Sequence, residues 1–224
     1  MHIEPGIVDG AKMFFAYATA TAAAGYTLKL AVQDLKSHSP LSFAARSIAG
    51  IIGTFIFFEI LPHFPVGVSE VHLILGTTLF LILGVAPAAI GLAFGLLVQS
   101  LFFAPSDLPM YFVNVTTLLM PLFGIDILAR RIVPANTAYI DLKYADVLKL
   151  SLAYQGGIVA WVAFWAIYGQ GLGAENLTSV ASFGAAYMLV VLIEPIADLA
   201  ALAAAKAMRP TGASRWTARR LYAA

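Results

Sequence analysis

Apolar stretches of bilayer length, separated by short polar or proline-glycine breaks, run through most of the chain and predict seven membrane-spanning helices. The first covers about residues 12–30 and is rich in Ala, Thr and Gly, as at closely packed helix interfaces. The second, about 43–61, ends at Pro62-His63-Phe64-Pro65. The third, about 71–83, is short for a full span and stops at Gly84-Val85-Ala86-Pro87. The fourth then reaches about Phe103, and the remaining three cover about 111–128, 148–168 and 179–208. The expected fold is all-α, a polytopic membrane helix bundle. It divides into an amino-terminal segment (1–11), the bundle (12–208) and a basic tail (209–224) expected to be disordered or lipid-facing.

Charge placement gives the bundle a direction. Lys29, Lys36 and Arg46 flank the first connection, Arg130, Arg131, Lys143 and Lys149 the fifth, and Lys206, Arg209, Arg215, Arg219 and Arg220 follow the last span. The connections on the other side carry Glu70, Asp107 and Glu175 and no Lys or Arg. Of 13 basic residues only Lys12 falls on that side. The excess of cytoplasmic Lys and Arg therefore predicts an outside amino terminus and a cytoplasmic carboxyl terminus. The start does not read as a cleaved leader, because Glu4 and Asp9 precede Lys12 and the first apolar run. The large His2 is expected to protect Met1 from removal.

Composition narrows the chemistry. The chain is 61% hydrophobic and 11% charged, against about 25% charged in soluble proteins. It has no Cys, which excludes disulfides, thiolate metal sites and Cys nucleophiles. No phosphate-binding loop, dinucleotide loop or serine-hydrolase elbow is present, so any ATP-driven step is expected to need another chain. The short basic loops suit membrane flanks, and no nucleic-acid partner is expected.

The first residues offer a chelate. A free Met1 amine, the His2 backbone nitrogen and the His2 ring Nδ1 close fused five- and six-membered rings around one ion. That near-planar arc suits Ni(II) or Cu(II), with Co(II) also accommodated. The alternative is an ordinary second residue on a frayed end. Polar residues at membrane depth add candidates. His72, two residues after Glu70, offers a fourth nitrogen, with Asn114 and Gln99 as hydrogen-bond partners orienting the ligands or as interhelical contacts. His63 reads as an interfacial loop residue and His38 as a solvated one. Glu194 and Asp198 share a face of the last span, where a structural contact to Arg46 or Lys29 is the expected role over metal binding. Phe55, Phe57, Phe58, Trp161, Phe164 and Trp165 read as packing and interface anchors.

These pieces, in this order, resemble the CbiM/NikM family of substrate-binding membrane subunits of energy-coupling-factor (ECF) transporters for cobalt and nickel. Met1-His2-Ile3 and Gly6 are similar to the family's start. The run from Phe55 to Val66 resembles its aromatic stretch before an Asn-Phe-Pro-Val turn, and Ser69-Glu70-Val71-His72-Leu73-Ile74-Leu75-Gly76 its Ser/Thr-x-x-His-Leu-x-x-Gly element. Val98-Gln99-Ser100-Leu101-Phe102-Phe103 and Asn114 follow at matching distances. The chain departs from the pattern where Pro105 to Val113 replaces a Gly-rich loop. The resemblance covers roughly residues 1–130. It implies a Co(II) or Ni(II) ion held by the Met1 amine, the His2 backbone and ring nitrogens and the His72 ring, with Asn114, Gln99 and Glu70 behind them.

The expected function is that of a substrate-binding component of an ECF-type ABC transporter in a bacterial plasma membrane, not an enzyme. It holds no cofactor beyond its cargo ion. A membrane coupling subunit and cytoplasmic ATPases are the expected partners, docking on the small faces Ala16-Ala20-Ala24 or Ala200-Ala204-Met208. The rival readings are a metal-independent scaffold and a capture subunit for an organic vitamin.

Overall fold

The computed structural model describes residues 2–134, 137–208 and 217–222. Its helices are α1 (Met13–Asp34), α2 (Pro40–Phe55), α3 (Gly76–Leu83), α4 (Val85–Phe102), α5 (Tyr111–Ile132), α6 (Tyr144–Gln170), α7 (Ala174–Ala207) and the short α8 (Arg219–Tyr222). Two strands, β1 (Phe64–Val66) and β2 (Ser69–Val71), lie between α2 and α3. Helix α2 opens on Pro40 with the Ser39 hydroxyl accepting the Ser42 amide, a proline-led capped start. It continues through a π-helical turn, Ile56–Ile60.

The helices pack in the neighbour series α2–α4–α5–α6–α7, with α1 against α4 and α5. Helix α5 runs through the centre, buried at most positions from Val113 to Ala129. Five helical segments among the described residues are long and apolar enough to cross a bilayer: Pro40–Ile60, Val85–Phe102, Pro105–Ile132, Tyr144–Gln170 and Ala174–Ala207. At 22 residues α1 has the length but is not among these five.

The expected third span is not one continuous helix. Residues 69–71 pair with 64–66 as an antiparallel hairpin, the chain stays irregular to Leu75, and only then does α3 begin. Eight residues of α3 rise about 12 Å, under half a hydrocarbon core. Side chains from other elements hold both ends of this fragment. At its start the Glu194 carboxylate accepts the Ile74 amide. At its end Arg46, fully buried, donates to the Leu83 carbonyl at 2.6 Å and pairs with Asp34.

Two glycines make this region possible. Gly67 turns the hairpin at φ 63°, and a Cβ there would lie 2.1 Å from the Ser179 carbonyl of α7. A Cβ on Gly76 would lie 2.2 Å from the Tyr154 ring of α6, so α3 starts against that ring only without a side chain.

Several expectations change. Glu194 and Asp198 contact neither Arg46 nor Lys29. Glu194 binds Ile74 and Gln155, Asp198 binds Thr78, and Arg46 takes Asp34 instead. On the α1 face Ala16 and Ala20 are buried and Ala24 is exposed, whereas Ala200, Ala204 and Met208 are all exposed. The described part of the tail is neither free nor lipid-facing: the Ala218 amide donates to the Ile82 carbonyl at 2.7 Å and Leu221 is buried. Trp165 is likewise interior, and its indole and that of Trp161 both donate to the Thr116 hydroxyl.

Candidate metal site

The amino-terminal segment is a strap threaded into the bundle at the end opposite the Arg46–Asp34 pair. It adds to the hairpin: Ile3 bridges Ser69, the Glu70 amide donates to the His2 carbonyl at 2.9 Å, and the Glu4 amide donates to Val68. The Ser69 hydroxyl also donates to the His2 carbonyl. From the bundle side, Asn114 Oδ1 on α5 accepts the Ile3 amide at 2.8 Å. Farther out, Gln170 donates to the Gly6 and Ile7 carbonyls, and Lys12 to that of Gly169. Ile3 and Val8 are buried apolar anchors. Main-chain pairing on one side and side chains on the other thus fix the register of residue 2.

This register carries His2 to His72. His2 Nδ1 lies 3.0 Å from His72 Nε2, and Glu70 Oε2 lies 2.9 Å from the first and 2.8 Å from the second. The three ligand atoms form a nearly equilateral triangle, and these residues are a group able to hold a metal ion. Both histidines are 1% exposed, while the Glu70 side chain keeps 22% of its surface open. Burial lowers the pKa of both imidazoles from the ordinary 6.5, His72 well below it, so both are neutral donors near pH 7. Burial alone would raise the Glu70 carboxyl, but hydrogen bonds from the two imidazoles outweigh it and hold it well below the usual carboxylate range. The cluster is thus two neutral nitrogen donors beside one carboxylate.

Aromatic contacts hold the rings. Phe58 packs against His2 at 5.9 Å and against His72 at 5.3 Å, and His63 stacks on His72 at 4.9 Å and 15°. His2 Nε2 and His72 Nδ1 have no hydrogen-bond partner among the described residues, so ring packing takes the place of the usual partner on the second nitrogen.

Of the residues singled out in the sequence, His2, His72, Glu70 and Asn114 converge here. Gln99 stands one layer back: its amide donates to the Phe58 carbonyl and to Glu59, behind the aromatic wall. Met1 lies outside the described residues. His63 covers His72, a role its place between prolines did not disclose. Asp107, in the segment replacing the Gly-rich loop, is within electrostatic reach of His2, Glu4 and Glu70.

Residues 2–212 match the family described as the cobalt uptake substrate-specific transmembrane region, CbiM. No curated protein sequence matches the chain. Among solved structures, one described as the crystal structure of a truncated transition metal transporter superposes with a TM-score of 0.65 at 18% identity. The alignment covers 94% of this chain and 99% of that one; at this identity the likeness is one of fold. With nearly its whole length matched, the chain belongs to the CbiM family.

Proposed function

We propose that this chain is the substrate-binding membrane component of an ECF-type uptake transporter for a divalent transition metal ion, cobalt or nickel. The observation that carries the reading is the 3.0 Å separation of His2 Nδ1 and His72 Nε2. Two nitrogens bonded at about 2.0–2.1 Å and at right angles stand about 2.9 Å apart, the spacing of adjacent corners of one coordination plane. The Met1 amine and the His2 backbone nitrogen complete four nitrogens. Family membership and a transporter-like fold support the same reading.

The chain does no covalent chemistry on its cargo. An ion arriving at the outer face exchanges water for nitrogen, and the strap, held by Asn114 and the hairpin, keeps the chelate closed. In the proposed topology the amino terminus is outside the plasma membrane of a bacterium and the carboxyl terminus in the cytoplasm. A membrane coupling subunit and cytoplasmic ATPases supply the energy, and the exposed Ala200-Ala204-Met208 face of α7 is one docking surface on this side of the assembly.

The test is the metal content of purified protein with an unblocked Met1, after exposure to Co(II), Ni(II), Cu(II) and Zn(II) and desalting. One retained ion per chain is expected, lost in His2→Ala, in His72→Ala and when one residue precedes Met1. Correctly folded wild type that retains nothing would favour the scaffold or organic-substrate reading.

A further inference from the structure

Glu70 occupies a position that a planar nitrogen site has no use for. Any three donors in one square plane include a pair on opposite sides of the ion, about 4 Å apart for bonds of about 2.0–2.1 Å. Tetrahedral donors at the same bond lengths stand about 3.3 Å apart. Here the three separations are 2.8, 2.9 and 3.0 Å. With ordinary bond lengths they place all three donor–metal–donor angles near about 90°. Three mutually perpendicular donors form one face of an octahedron. When the two imidazole nitrogens are adjacent corners of the plane, the carboxylate oxygen lies on the axis above it.

We propose that Glu70 is an axial fifth ligand, and that it selects cargo ions accepting a fifth donor, Co(II) first, over ions that prefer a bare nitrogen plane, Ni(II) first. This rests on the uptake reading above and deepens it. The carboxylate is fixed on a strand: its amide donates to the His2 carbonyl, and residue 70 is paired opposite Pro65 in the hairpin. Glu70 on β2 and His72 just past its end bring their side chains together, Oε2 2.8 Å from Nε2. Charge argues for the same role. A divalent ion bound through one deprotonated amide nitrogen keeps a net charge of +1 in a pocket whose imidazoles are almost fully buried. An uncompensated charge there is costly, and one carboxylate on the metal makes the complex neutral. A square plane of nitrogens favours Ni(II) and Cu(II), and an axial oxygen removes that preference.

The experiment compares wild type, Glu70→Ala, Glu70→Gln, Asp107→Asn and His72→Ala, each with an unblocked Met1. Each is exposed to an equimolar mixture of Co(II) and Ni(II) for metal counting, and to Co(II) alone for X-ray absorption. Wild type is expected to hold Co(II) with five light-atom donors, and Glu70→Ala with four. The Co(II):Ni(II) ratio bound is expected to fall about tenfold in Glu70→Ala and less in Glu70→Gln, with Asp107→Asn at the wild-type coordination number. A four-donor plane in wild type overturns the proposal without any variant. So does an unchanged ratio and donor count in both Glu70 variants while His72→Ala loses the ion, an outcome that leaves metal uptake standing. Wild type without bound ion overturns both readings.

Discussion

Asn114 holds the strap through one atom. Its Oδ1 accepts the amide of Ile3, one residue beyond His2, the proposed chelating residue, inside a pocket that leaves Asn114 fully buried. Asn114→Ala leaves that amide unsatisfied, a loss of about 1–3 kcal/mol, and residue 2 gains freedom. Faster hydrogen exchange at Ile3 and roughly tenfold faster release of the bound ion are expected; unchanged exchange would mean that the hairpin alone sets the register. Protonation adds a second expectation. Since burial holds both imidazoles below 6.5, neither gives up a proton on binding above that pH. Protons released near pH 7.5 come from the Met1 amine, whose ordinary pKa is about 7.7–8.0, and from the His2 amide. Titration calorimetry in buffers of different ionisation enthalpy should find between about one and two protons per ion, with retention weakening as pH falls. Three or more would mean that the rings start out protonated. His2 and His72 are legible in the sequence because their chemistry is intrinsic to the residue. The placement of Glu70 is not. Two residues apart on a helix, Glu70 and His72 would point about 200° apart; they meet because Glu70 lies on β2 and His72 follows its end before any helix begins.

The hidden strand belongs to a larger misreading of one element. An apolar run from Val71 to Leu83 reads as a short span, but nothing in its periodicity announces the irregular stretch before α3, since a run buried on all sides has no polar face to mark a change of period. What defines α3 is supplied from elsewhere. Tyr187 donates to Gln155 at 2.6 Å, Gln155 donates to Glu194, and Glu194 takes the Ile74 amide two residues beyond His72. This chain of bonds lets the backbone leave regular structure inside the protein, where unpaired groups in contact with lipid would be prohibitive. In Glu194→Gln one amide acceptor survives for Ile74, but the new NH2 meets the Gln155 NH2, and turning the Gln155 amide relieves this only by taking away the acceptor of the Tyr187 hydroxyl proton. Destabilisation of about 1–3 kcal/mol is expected, read as the denaturant midpoint of detergent-solubilised protein. Adding Gln155→Glu restores every bond in the series with the carboxyl moved from residue 194 to residue 155, since the new carboxyl accepts both from residue 194 and from Tyr187. The double variant is therefore expected to be more stable than Glu194→Gln alone. Equal or lower stability would show that the position of the carboxyl, and not the bonding pattern, sets the energy.

Across the whole molecule, the two ends differ in chemistry. The strap, the His2–Glu70–His72 cluster and Asp107 gather at one end. Arg46 and Asp34, the α5 terminus with Arg130 and Arg131, and Lys206, which reaches the Leu142 carbonyl, gather at the other. The division was legible because the charge bias needs only the order of loops and not their contacts. It survives even though one expected span is an eight-residue helix with a hairpin before it, because the strand, irregular stretch and helix together still carry the chain from one end to the other. The orientation can be tested without background, since the sequence has no cysteine. Lys36, in the turn between α1 and α2, and Glu175, at the start of α7, are both exposed and stand at opposite ends. In intact cells a membrane-impermeant maleimide is expected to label Glu175→Cys and to leave Lys36→Cys unlabelled until the membrane is opened. The reverse pattern would put the strap on the cytoplasmic face. Capture of an incoming ion there would be physically meaningless, and the cluster would have to serve release from the membrane, whichever ion it prefers.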